Sequence, residues 1–167
     1  METRIEQLPA FDVVGYGVDS RMDEASRDII PQFWQKYLGG AQRPALNALA
    51  EGGFPAVEYG VCCCFQPGSD AFRYVIGIRL PAGIKPPAGA ETVQIPAGEY
   101  VVGLTDPASP DNFPMSIGQG WGELMGNWLP KSGYVTTGGP QFELYDERSD
   151  PDRAKLQIEI WIPIRKA

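Results

Sequence analysis

The sequence predicts an α+β fold: two tandem strand-helix-strand-strand modules related by a pseudo-two-fold, with antiparallel sheet and helices packed on it. Three observations predict it. A strand pattern containing Val-Val-Gly occurs twice, in AFDVVGYGVDS (Ala10 to Ser20) and AGEYVVGLTDP (Ala97 to Pro107). Each copy is followed by an apolar stripe at helical spacing. Each stripe is followed by two more strand patterns, the first of them carrying a glutamate close to a tyrosine.

The elements follow in order. Ala10 to Ser20 is the first strand. Ile30, Phe33, Trp34, Tyr37 and Leu38 fall at i, i+3, i+4, i+7 and i+8, one face of an amphipathic helix. AVEYGVCCC (Ala56 to Cys64) and FRYVIGIRL (Phe72 to Leu80) read as strands around a Pro67-Gly68 turn. The stretch PAGIKPPAGA, residues 81–90, is too rich in Pro and Gly for regular structure. It links halves of about 1–80 and 91–167. In the second half the strand Ala97 to Pro107 leads to a helix with Trp121, Leu124, Met125, Trp128 and Leu129 at the same spacing. Pro130 and Gly133 mark its end. QFELYDE (Gln141 to Glu147) and KLQIEIWIPI (Lys155 to Ile164) complete the second half. A half of roughly 80 residues with one helix buries too little of its own sheet. One domain spanning 1–167 is therefore expected.

Charge and composition exclude several functions. The net charge is −7 and no cluster of Lys and Arg appears, which disfavours nucleic-acid binding. No apolar run approaches the roughly 18 residues of a membrane span. METRIEQLPAF is acidic and lacks an apolar core, so no secretion leader is expected in it. With three cysteines, which cannot all pair internally, the expected compartment is a reducing cytoplasm. The absence of histidine removes triads, Cys-His pairs and histidine metal ligands. Any chemistry must come from carboxylates, tyrosines, thiols or backbone amides, and no cofactor is implied.

Cys62, Cys63 and Cys64 are adjacent. On an extended chain Cys62 and Cys64 share one face and Cys63 takes the other. Two thiols on one face, without histidine, make a poor zinc site. The expected role is filling a strand, with free thiols and no metal. The acidic run DERSDPD, Asp146 to Asp152, reads as a solvated turn.

The glutamates are more informative. Glu143 lies between Phe142 and Leu144, so it points to the other face, with Tyr145. Glu58 occupies the matching strand of the first half, beside Tyr59. A mid-strand carboxylate can simply face water. Against that stands an aromatic supply of four Trp and seven Tyr, generous for a core of this size.

The pieces IPQFWQKYL, VEYGV, FRYVIGI, IPAGEYVVG, WGELMGNWLPKSGY, GPQFELYDE and IEIWIPI resemble the GyrI-like small-molecule-binding family. That family includes the effector-binding domains of AraC-type and MerR-type transcriptional activators. The resemblance covers nearly the whole chain, and no helix-turn-helix segment accompanies these pieces. It implies a free-standing module with a ligand cleft between two repeats. Glu143 would lie at the floor of an aromatic pocket that meets lipophilic cations. Trp128 and Trp161 are the first ring candidates, and Tyr59, Tyr37 and Tyr145 follow. Glu58 would add a second carboxylate. The family also implies an alternative, hydrolysis of cyclopropanoid electrophiles, with Glu143 as general base and Tyr145 or Glu58 polarising the electrophile. A third possibility is a protein-interaction role, as in gyrase-inhibiting relatives. The expected partner is a lipophilic small molecule.

Overall fold

The structure is a computed structural model that describes residues 1–50 and 57–167. Two compact units form, one of Ala10–Ile95 and one of Met1–Pro9 with Pro96–Ala167.

The first unit holds β2 (Phe11–Arg21), α1 (Ile29–Leu38), α2 (Gln42–Asn47), β3 (Glu58–Cys63), β4 (Ala71–Arg79) and β5 (Glu91–Ile95). Its strand order is β3-β4-β2-β5, with every ladder antiparallel. The second unit holds β1 (Glu2–Leu8), β6 (Gly98–Leu104), α3 (Phe113–Gly122), β7 (Tyr134–Thr136), β8 (Gln141–Tyr145) and β9 (Glu159–Lys166). Its order is β8-β9-β6-β1, with β7 also on β9, and its ladders too are antiparallel. Each unit is thus strand, helix, strand, strand, in the same spatial order, as the repeat predicts. Ala56, expected to begin the strand that follows the first helix, lies outside the described residues.

Three strands go beyond the expectation. β1 and β5 are edge strands of their units, and each is contributed from outside the expected half. β1 pairs along its full length with β6, from Glu2 opposite Leu104 to Leu8 opposite Gly98. β5 crosses the linker in the other direction and pairs with β2. The compact units therefore do not divide at the linker. Short β7 adds to β9.

Helix-facing side chains form the cores. In the first unit Val14, Tyr37, Leu46, Tyr74, Ile76 and Ile78 cluster. In the second Val101, Leu124, Ile158, Ile160, Ile162 and Ile164 do so. Burying each such aliphatic side chain is worth roughly 1.5–3 kcal/mol. The two Val-Val-Gly copies are out of phase. Val14, the second valine, faces the helices in the first unit, whereas Val101, the first valine, does so in the second. A one-residue slip exchanges faces, so the sequence match there is not a structural one.

Each helical stripe loses one residue to solvent. Leu38 ends α1 and is 50% exposed. In the second unit α3 passes into a π turn, Glu123–Trp128, before a last helical turn at Leu129–Lys131. The wider turn rotates the downstream residues, and Met125 is 40% exposed while Leu124 is fully buried. The helix runs through Pro130 and stops before Gly133, which has φ +76. That left-handed conformation costs glycine least. Among the described residues no helix is long and apolar enough to cross a membrane.

Candidate functional site

Glu143 lies mid-strand in β8 and is 6% exposed. It stands opposite Ile160, on the helix-facing side of its unit. Both carboxylate oxygens accept from neutral donors. The Trp121 indole Nε1–H of α3 donates to Oε1 at 2.8 Å, and the Tyr145 hydroxyl donates to Oε2 at 2.9 Å. Strand alternation puts Tyr145 beside Glu143, and both Trp121 and Tyr145 pack against the apolar cluster. The result is a desolvated carboxylate walled by an indole, a phenol and isoleucine. Burial of an ionised group without compensation is costly, and hydrogen bonds from oriented donors offset part of that cost.

Trp161 does not join this group, which corrects its expected place beside Glu143. It stands opposite Phe142, with the rings stacked at 5.5 Å and 11°. Its indole N–H donates to Glu159 at 3.0 Å. The Arg4 guanidinium lies 5.7 Å from its ring centroid. Ile158, Ile160, Ile162 and Ile164 fill the helix side of this stretch, so Trp161 must face the opposite side. Trp128 is on the helix side. It stacks on Tyr134 at 6.2 Å and lines a surface cavity of about 470 Å³ with Glu123, Asn127, Lys131 and Ser132.

In the first unit Glu58 is also buried, at 5% exposure. It is held by a bidentate arginine: Arg43 of α2 donates from Nε and an η nitrogen to the two oxygens, each at 2.9 Å. Tyr37 is fully buried, and among the described residues its hydroxyl has no hydrogen-bond partner of normal geometry. Burial, and then the nearby charge of Glu58, hold its pKa well above the usual phenol range. Tyr59 points to the opposite face from Glu58 and packs against Phe11 at 5.6 Å. There it lines a cavity of about 710 Å³ with Phe11, Asp12, Ile78, Arg79 and Ile84. Glu143 lines neither of these two cavities.

The structure therefore brings together Glu143 and Tyr145, pairs Glu58 with Arg43 near Tyr37, and places Tyr59 and Trp161 on other faces of their strands. Sequence reasoning missed the two direct partners. Trp121 belongs to the same apolar stripe as Trp128, two helical turns earlier. Arg43 had no signal, because QRPALN shows no helical stripe. The run Asp146 to Asp152 is less solvated than expected: Asp146 accepts from Arg148, which also reaches Glu159 at 3.0 Å.

Residues 4–164 match the model of the Cass2 family, described as integron-associated effector binding protein. A DNA gyrase inhibitor from Erwinia billingiae is 33% identical over 93 residues, covering 54% of this chain and 56% of that protein. The chain thus spans about half the length of this curated relative. Among solved structures, a putative transcription regulation protein from Staphylococcus aureus superposes with a TM-score of 0.75 at 21% identity, covering 99% of both chains. SAV2435, solved bound to tetraphenylphosphonium, gives 0.77 at 20% identity over 99% of this chain and 94% of its own. Likeness at these identities establishes a shared fold.

Proposed function

The chain belongs to the Cass2 family of integron-associated effector-binding proteins, and we propose that its effector is a lipophilic cation held by Glu143. The observation that carries this reading is the buried carboxylate with its aromatic donors, Trp121 and Tyr145. A fixed carboxylate with little hydration attracts a cation more strongly than an exposed one does. Ring faces alongside add cation–π attraction, on the order of 0.5–2 kcal/mol per well-placed ring. A delocalised organic cation suits such a site because it gives up little hydration on entry. The tetraphenylphosphonium bound to the similarly folded SAV2435 supports the same ligand class.

Entry requires the shell to yield. Trp121 lies two residues before the π turn that starts at Glu123. A change of pitch at that turn can swing the indole away from Glu143 while the rest of α3 stays packed. The incoming cation then takes the place of the indole N–H, and Tyr145 keeps its hydrogen bond. Recognition by one charge and aromatic faces, rather than by a directional hydrogen-bond network, is broad in shape and selective in charge.

The Trp121 indole N–H is a direct reporter of this exchange. In an amide and indole NMR titration with tetraphenylphosphonium, that resonance is expected to shift and saturate, with an affinity of about −8 kcal/mol, in the micromolar range. Trp121→Phe assigns the signal. Saturable shifts confined to the Trp128 indole, with Trp121 unmoved, would place the ligand elsewhere and overturn the reading.

A further inference from the structure

We propose that Cys63 and Cys64 form a vicinal dithiol that captures trivalent arsenicals, a site separate from the Glu143 carboxylate. Two linked features of the chain meet here. The Cys64 and Cys63 sulfurs lie 3.7 Å apart. Cys64 also has φ 58, alone among the described non-glycine residues in being left-handed. A side-chain-bearing residue there is held against a conformational cost. That conformation creates the pair. Had the strand continued, Cys64 would have faced the side of Cys62, which packs against the helix-side cluster. Instead β3 ends at Cys63, and the left-handed turn brings the next sulfur back to its neighbour.

The geometry selects the ligand. Zinc needs about four protein donors in a tetrahedron, and no cluster of three or more Cys, Asp and Glu suited to a metal occurs among the described residues. Trivalent arsenic is three-coordinate and pyramidal. It can bring its third substituent with it and needs only two thiols at close range. Cys64 is exposed and Cys63 is buried. Burial, with the neighbouring Cys64, pushes the Cys63 thiol up to about 12. Cys64 therefore attacks first, and Cys63 closes the ring as an intramolecular step.

The reaction is a ligand exchange without redox change. An arsonous species R–As(OH)2 loses both hydroxyl groups. Each leaves as water with one thiol proton, two As–O bonds break and two As–S bonds form. Arsenic stays trivalent throughout, so no oxidant or reductant is consumed.

Phenylarsine oxide and intact-protein mass spectrometry test the assignment on the full, reduced chain. One adduct per chain is expected for the wild type and for Cys62→Ser. It should resist excess 2-mercaptoethanol and be stripped by 2,3-dimercaptopropanol. Cys63→Ser and Cys64→Gly should lower the affinity on the order of a hundredfold, because the second bond becomes intermolecular. Glycine at residue 64 keeps the left-handed backbone while removing the sulfur. This variant carries the test if Cys63→Ser does not fold, as judged by circular dichroism. Undiminished capture by Cys64→Gly, or loss of capture in Cys62→Ser, would overturn the proposal.

Discussion

Gly15→Ala is expected to destabilise the protein by more than about 3 kcal/mol, above the usual range for overpacking. Gly15 and Gly77 stand directly opposite each other where β2 meets β4. A Cβ on Gly15 would sit 2.1 Å from the Ile76 carbonyl oxygen and 2.7 Å from the Gly77 Cα. A Cβ on Gly77 would meet the Val14 oxygen at 2.2 Å. The obstructing atoms are backbone, so no rotamer change relieves the clash, and the ladder between the two longest strands of its unit must part. Gly118→Ala, in α3, is the matched control. Its Cβ meets nothing within 4 Å, and alanine in a helix is favoured by roughly 0.5–1 kcal/mol. Urea denaturation of the pair should give shifts of opposite sign. A Gly15→Ala protein as stable as the wild type would show that β2 and β4 are not in close register at that point.

Arg43→Met should cost about 3 kcal/mol, the scale for leaving a buried charge without its partner. For a chain of this size that corresponds to a fall in Tm of roughly 6–12 °C. Glu58 is 5% exposed and takes two charge-assisted bonds from Arg43. Methionine keeps most of the side chain's length and removes the charge. Adding Glu58→Leu to Arg43→Met should recover most of the loss, since a well-packed apolar pair can replace a buried ion pair at little cost. Calorimetry of the single and double variants checks both. If the double variant is as unstable as Arg43→Met alone, the loss comes from packing of α2 rather than from stranded charge.

Much of this was legible in the sequence, for definite reasons. The period-two pattern of QFELY placed Glu143 and Tyr145 on one face and Phe142 on the other, and the register agrees. The same rule, applied to IEIWIPI, separates Trp161 from the isoleucines and hence from Glu143. β1 and β5 were harder. They are edge strands held by backbone ladders, with polar side chains such as Arg4, Glu6 and Glu91; β1 buries no residue fully and β5 only Ile95 at its end, so neither carries a long apolar face. The π turn has no periodic signature, because it is defined by backbone hydrogen bonds rather than by side-chain spacing. Trp121 belonged to the expected stripe, yet its role depends on which way one N–H points, which spacing does not encode. The left-handed Cys64 was likewise beyond the reach of strand alternation.

Charge and shape can be separated at Glu143. Wild-type protein and Glu143→Gln are titrated calorimetrically with tetraphenylphosphonium and with a neutral aromatic compound of similar size. Glutamine preserves the outline of the side chain: its amide oxygen can accept from the Trp121 indole, and its NH2 can donate to the Tyr145 hydroxyl once that hydroxyl turns to accept. The substitution is expected to weaken binding of the cation by roughly 1–3 kcal/mol, the scale for losing a charged partner, and to change the affinity for the neutral compound by less than about twofold. Equal losses for both compounds, or an unchanged affinity for the cation, would contradict this expectation.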